Sequence, residues 1–156
     1  VLKFRETSVV DPIADELLGE YFGMREHGMT SYRTFRPDPA TFTPPEGVFL
    51  VAELDGAPVG CGGMRMLSPA RGEIKHLWVR PAARGTGSGR ALLLELERRA
   101  AGFGATEVVL DTNERLEAAQ SLYRSSGYVD VEPYNDNPNA TQWFRKHLPP
   151  DAERVF

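Results

Sequence analysis

From Val79 the chain reads Val-Arg-Pro-Ala-Ala-Arg-Gly-Thr-Gly-Ser-Gly-Arg-Ala, with Gly85, Gly87 and Gly89 at alternate positions. Alternate glycines strip side chains from a turn, so several backbone N–H groups can converge on one anion. An apolar strand pattern precedes them and a helical pattern follows, and the positive end of that helix favours phosphate. A merely flexible turn would use the same residues. Two phosphate motifs are excluded by position. The nucleotide P-loop needs a lysine after its last glycine, where Arg90 and Ala91 stand. The dinucleotide fingerprint G-x-G-x-x-G needs a glycine where this chain has Arg90 or Leu92.

The elements around this turn can be read from periodicity. Leu2–Glu6 is a short strand, and Asp11–His27 carries helical spacing at Ile13, Leu17, Leu18, Tyr21 and Phe22, with Asp11 as cap and Pro12 at the first helical position. Gly28–Pro45 reads as irregular. Gly47–Leu54 and Ala57–Met66 are strands joined by an Asp55-Gly56 hairpin signal, and Glu73–Val79 is a third strand stopped by Pro81. Ser88–Phe103 is the clearest helix, with Leu93, Leu96, Ala100 and Phe103 on one face and Gly102 and Gly104 at its end. Glu107–Asp111 is a strand, Glu114–Ser126 a helix with Asn113 as cap, Tyr128–Val131 and Thr141–Leu148 the last strands, and Pro149–Phe156 a tail. Three consecutive strands followed by alternating helices and strands predict a mixed sheet flanked by helices, in one domain over residues 1–156.

Within that frame, Arg84-x-x-Gly87-x-Gly89 resembles the [QR]-x-x-G-x-[GA] signature of the GNAT superfamily of N-acetyltransferases, whose loop holds the pyrophosphate of coenzyme A. The surrounding run from Glu73 to Leu93 looks like the family's strand, turn and helix. Ala119-Gln-Ser-Leu-Tyr123-Arg-Ser-Ser-Gly127-Tyr128 is similar to its A-x-x-L-Y-x-x-x-G-[FY] segment. The likeness is firm over residues 47–131 and covers the flanks only in arrangement. It implies an α/β (α+β) GNAT-like fold: a mixed, mostly antiparallel sheet of six to seven strands, splayed between strands 4 and 5 and flanked by helices. It also implies acetyl-CoA as the acetyl donor and no metal.

The resemblance further implies roles for single residues. The backbone of Leu77, Trp78 and Val79 pairs with the pantetheine arm in the splay, and an N–H near Val79 steadies the thioester oxyanion. Arg84, Gly85, Thr86, Gly87, Ser88, Gly89 and Arg90 hold the phosphates. Tyr123 is the general acid for the departing thiolate, and Leu116, Ala119 and Tyr123 share the helix face that turns the phenol toward the cleft. Glu73, eleven positions before Arg84, is the candidate base, with His76 as alternative. Period-two alternation puts Glu73 and Lys75 on the face of Leu77 and Val79, and Ile74, His76 and Trp78 on the other. One departure stands out: many relatives carry Asn seven residues before the tyrosine, and here Leu116 occupies that position. His27 and His147 carry no motif.

The acceptor is less legible. By resemblance it is set by residues 20–45 and 132–139, where Tyr21, Tyr32, Tyr134 and Asp136 could line a cleft for a cation. The expected reaction is direct attack of a primary amine in a ternary complex, with a small-molecule acceptor favoured by the compact length. A protein N-terminal or lysine acetyltransferase and a non-catalytic acyl-CoA-binding regulatory domain stand as alternatives. The net charge of −4 and pI near 5.4 disfavour nucleic acid. No run approaches the roughly 18 apolar residues of a membrane span, and no signal peptide opens the chain. Cys61 is the single cysteine, which rules out an internal disulfide and a cysteine metal cluster. A cytoplasmic location and, by resemblance, a homodimer through the last strands are the expectations.

Overall fold

The computed structural model describes residues 1–27 and 32–149. The predicted irregular segment from Gly28 and the tail from Pro149 therefore lie partly outside the described residues.

The elements run β1 (Leu2–Glu6), α1 (Pro12–His27), β2 (Gly47–Leu54), β3 (Ala57–Ser68), β4 (Arg71–Val79), α2 (Ser88–Gly102), β5 (Glu107–Thr112), α3 (Glu117–Ser125), β6 (Val129–Asp130) and β7 (Gln142–His147), with a 3-10 turn at Pro81–Ala83. They form one sheet in the order β1-β2-β3-β4-β5-β7-β6. Every described pairing is antiparallel except β4 with β5. The mixed sheet flanked by helices is the architecture expected from the element order, and its mostly antiparallel pairing is what the resemblance implied.

Local chemistry explains the punctuation. Asp11 caps α1, its Oδ2 accepting from the N–H groups of Ile13 (3.0 Å) and Ala14 (3.1 Å). Asp55 and Gly56 both have positive φ, 51° and 87°, as a two-residue hairpin turn requires. Asn113, expected to cap α3, instead accepts from Arg115 N–H at 3.0 Å and donates to the Asn139 carbonyl; α3 begins later, with Leu116 at its N-cap. Its Asx-type turn competes with helix for the same backbone groups.

Two apolar layers sandwich the sheet. On one side Leu92, Leu93, Leu96 and Ala100 of α2 are fully buried against Val48, Leu50, Met64, Ile74 and Val108. Each buried leucine is worth about 1.5–3 kcal/mol of transfer free energy. On the other, Leu17, Leu18 and Phe22 of α1 pack with Phe49, Val51, Cys61 and Trp78.

The sheet has one break that matters for function. Parallel pairing of β4 with β5 covers only Arg71↔Glu107, Gly72↔Val108 and Glu73↔Val109. Beyond it the strands diverge, giving the splay between strands 4 and 5 expected from the resemblance. In the same stretch β4 carries a bulge. Cys61 and Gly63 of β3 face Trp78 and Lys75, so a two-residue step on β3 spans three on β4, and His76 sits at φ 58°. A positive φ is uncommon for a non-glycine residue, and such backbone costs about 1–3 kcal/mol. The extra residue breaks the predicted alternation. Ile74 and Leu77 both pack on the α2 side, whereas His76 lies against Tyr21, Phe22 and Phe42 and Trp78 packs on the α1 side. Gly72 faces Ala100 of α2, so Glu73 points to the opposite face, shared with His76 and Trp78 and not with Leu77.

Candidate active site

The wedge between β4 and β5 opens into a cleft of about 980 Å³. One end is built by the glycine turn. Arg80 N–H donates to the Val59 carbonyl at 2.7 Å, closing β4 onto β3, and the 3-10 turn then delivers Arg84 in extended conformation. Gly85 and Gly87 follow with φ 80° and 83°, left-handed values that favour glycine, and Gly87 is the N-cap of α2. Among the described residues, no protein group accepts from the N–H groups of Gly85, Gly87, Ser88, Gly89 or Arg90. The first N–H groups of a helix have no intrahelical partner, and here they converge with those of the turn at the positive end of α2. The Thr86 hydroxyl is held by the Ala83 carbonyl (2.5 Å) and Ser88 Oγ (2.7 Å), which fixes the loop. Arg84 stacks over Trp78 at 5.5 Å, and Arg90 is tied to Ser125 and Ser126. The turn thus offers unclaimed amides and, among the described residues, two guanidinium groups, Arg84 and Arg90, with no carboxylate partner, a set of donors that suits a diphosphate.

The wedge continues from this loop. Because Arg80 N–H points to β3, strand alternation turns the N–H and C=O of Val79 and Leu77 the other way, into the gap. The gap therefore has an unpaired strand edge on the β4 side. The structure fits a phosphate-tailed, amide-containing arm laid from loop to wedge.

Ten of the twelve predicted site residues border this one cleft: Tyr123, Leu77, Trp78, Val79, Arg84, Gly85, Gly87, Ser88, Gly89 and Arg90. The Trp78 side chain turns toward α1, where its Nε1 donates to Glu20 at 3.2 Å, so only its backbone and one ring face serve the cleft. Tyr123 is 7% exposed, packed against Tyr128 and Phe144, with no hydrogen bond from its hydroxyl to a described protein group. Burial pushes its pKa above the usual tyrosine range, which keeps the phenol protonated.

Thr86 and Glu73 are not brought to the cleft surface. Glu73 is fully buried, with one oxygen taken by Arg65 Nε (2.7 Å) and the other by the Tyr134 hydroxyl (2.5 Å). The expected base shares a face of β4 with His76 but is covered by Arg65 and Tyr134. Tyr134, expected in the acceptor cleft, closes over it from the β6–β7 loop, and Asp136 does not line the cleft either. Tyr21 and Tyr32 do.

The other end of the cleft holds His76, the alternative base of the sequence reading, and two residues the sequence did not single out, Asp111 and Arg25. His76 borders the cleft with its Nδ1 buried and unpartnered, and desolvation lowers its pKa to about 3, so it is neutral. Asp111 lines the wall from β5, bound by Lys75 (3.5 Å) and Asn135 (2.7 Å). Arg25, in the last turn of α1, reaches in from the other side. One signal could have exposed Arg25: it continues the apolar stripe of Leu18 and Phe22 at helical spacing, where a charge is out of place.

Residues 10–128 match the family model described as the acetyltransferase (GNAT) family. The chain belongs to the GNAT acetyltransferases. An uncharacterized N-acetyltransferase of Schizosaccharomyces pombe is 37% identical over 99 residues, 62% of this chain and 61% of that protein. The chain spans only 61% and 64% of the length of the first two relatives it matches by sequence. This GNAT chain also superposes on a GNAT acetyltransferase from Staphylococcus aureus (TM-score 0.77, 17% identity, 96% of this chain and 100% of that one). A PaiA N-acetyltransferase from Thermoplasma acidophilum in complex with coenzyme A gives TM-score 0.74 at 17% identity, covering 95% and 99%. At that identity both show the GNAT fold. Among the described residues no helix is long and apolar enough to cross a membrane, and no three His, Cys, Asp or Glu side chains gather as metal ligands would.

Proposed function

We propose that this GNAT chain transfers the acetyl group of acetyl-CoA to the primary amine of a small molecule, both substrates being bound at once. The observation that carries this is the continuity of one cleft. It runs from the unclaimed amides of Gly85 and of residues 87–90, along the unpaired edge of β4, to Tyr123. Its size is that of a small-molecule pocket.

Bound acetyl-CoA supplies an activated thioester, at whose carbonyl carbon the amine nitrogen forms a C–N bond as the C–S bond breaks. The chain's part is placement and proton handling. The amides of Gly85, Gly87, Ser88, Gly89 and Arg90, with Arg84, hold the diphosphate at the mouth of α2. The wedge-facing groups of Leu77 and Val79 pair with the arm, and the Val79 N–H is set to stabilise charge on the carbonyl oxygen. Tyr123 gives its proton to the departing sulfur and recovers one from solvent, and the amine's proton leaves through the open mouth of the cleft. Glu73 acts through its neighbours: it fixes Arg65 at the cleft wall and holds Tyr134 of the β6–β7 loop.

Calorimetry with coenzyme A and a thiol-release assay with a panel of amines test this directly. Tyr123→Phe is expected to keep the affinity for coenzyme A and to lose about 10²-fold or more in kcat. A variant with undiminished kcat would remove the proton-donor role. Absence of coenzyme A binding by the native chain would remove the acetyl-transfer reading altogether.

A further inference from the structure

Arg25 is 7% exposed, yet its guanidinium borders the cleft. It lies 4.9 Å from the ring centre of Tyr32 and 5.7 Å from that of Tyr21. Its Nη1 donates to the Tyr21 hydroxyl at 2.8 Å and its Nη2 reaches the Asn139 carbonyl at 3.4 Å, whereas Nε has no partner. A guanidinium has five N–H donors, so most of its hydrogen-bonding capacity is unused. Among the described residues no carboxylate pairs with it, unlike the other cations on the acceptor side. Arg65 is bound by Glu73, Lys75 by Asp111 and Arg36 by Asp15.

Burying a cation without a counter-ion is unfavourable by several kcal/mol, and an incoming anion relieves that cost. Arginine suits a carboxylate in particular, because its planar fork matches two oxygens. Of the cations lining the cleft, Arg36, Arg65 and Lys75 are paired with Asp15, Glu73 and Asp111, and Arg84 and Arg90 stand at the glycine turn, so at the far end Arg25 is the one without a carboxylate among the described residues. Of the four residues expected to line a cleft for a cation, Tyr21 and Tyr32 border it and Tyr134 and Asp136 do not.

We propose that Arg25 anchors a carboxylate on the acceptor, so that this site acetylates amines of amino-acid type in preference to simple amines or polyamines. The assignment rests on the acetyl-transfer reading above. Tyr21, Tyr32 and Phe22 beside Arg25 provide apolar surface for the rest of such a molecule.

The test pairs phenylalanine, methionine and glutamate with their α-carboxamides as acceptors in the thiol-release assay. A second readout, free of turnover, titrates the coenzyme A-loaded protein with the N-acetyl derivatives of both series. The free acids are expected to exceed the amides at least tenfold in kcat/KM and in affinity. Arg25→Gln is expected to bring that ratio near one through KM for the acid, with coenzyme A affinity unchanged, and Arg25→Lys to fall between. Amides that match the acids, an Arg25→Gln protein that melts earlier but keeps the preference, or silence from both series in both readouts would overturn the anchor. If coenzyme A itself fails to bind, the acetyl-transfer reading falls and the anchor with it. If other amines turn over and carboxylates confer nothing, only the anchor falls.

Discussion

Replacing Glu73 by Gln separates a proton acceptor from a buried strut. The native carboxylate accepts from Arg65 at 2.7 Å and Tyr134 at 2.5 Å while fully buried. Gln keeps the shape and one carbonyl acceptor, and the Tyr134 hydroxyl can turn to accept from its amide. What disappears is the charge. A hydrogen bond to a charged group is worth about 1.5–3 kcal/mol. Breaking a fully buried pair costs about 3–5 kcal/mol, but the Arg65 side chain is 39% exposed and water can solvate it once released. The loss therefore falls at the low end, about 2 kcal/mol, or roughly 4–8 °C in Tm for a chain of this size. Urea denaturation measures the first and calorimetric melting the second. In the thiol-release assay kcat is expected to fall less than about tenfold, with the larger change in KM for the amine, because Arg65 lines the cleft. Loss of a general base would instead remove about 10²–10⁴ from the rate. A Glu73→Gln protein of native stability whose kcat drops a thousandfold would refute this reasoning and make Glu73 the base.

Arg84→Ala is expected to weaken coenzyme A binding by about tenfold or more, the worth of a charge-assisted contact to phosphate, with kcat at saturating donor unchanged; calorimetry and saturation kinetics check the two halves. His76 contributes a pH dependence. Its pKa is lowered from 6.5 to about 3 by desolvation, so between those values the unfolded chain binds the extra proton. Stability is therefore full above about pH 6.5 and falls as pH drops toward 3, by up to roughly 1.4 kcal/mol per pH unit. His76→Asn, which tolerates positive φ without titrating, is expected to flatten that slope relative to the native chain in urea melts from pH 4.5 to 7.5. An unchanged slope would show that His76 takes up its proton without opening the fold.

Much of the molecule was written locally. The Asp11 cap, the Asp55-Gly56 turn, the leucine face of α2 and the alternate glycines each depend on interactions within a few residues, so composition and spacing were enough to place them. The glycine-turn end of the cleft is of this kind: one turn and one helix N-terminus make it, and both lie in a single run of sequence. The opposite end is not. Glu73 is covered by Arg65 of β3 and Tyr134 of the β6–β7 loop, and the face that Leu77 takes depends on a bulge at His76 that exists only in the register of β4 against β3. A single inserted residue reverses every later side chain, and alternation along one strand cannot reveal it. That no carboxylate among the described residues pairs with Arg25 likewise arises from what α1, β4 and the loop carrying Asn139 place beside it. Charges act through space, and the count of partners around a buried one is fixed only when distant segments meet.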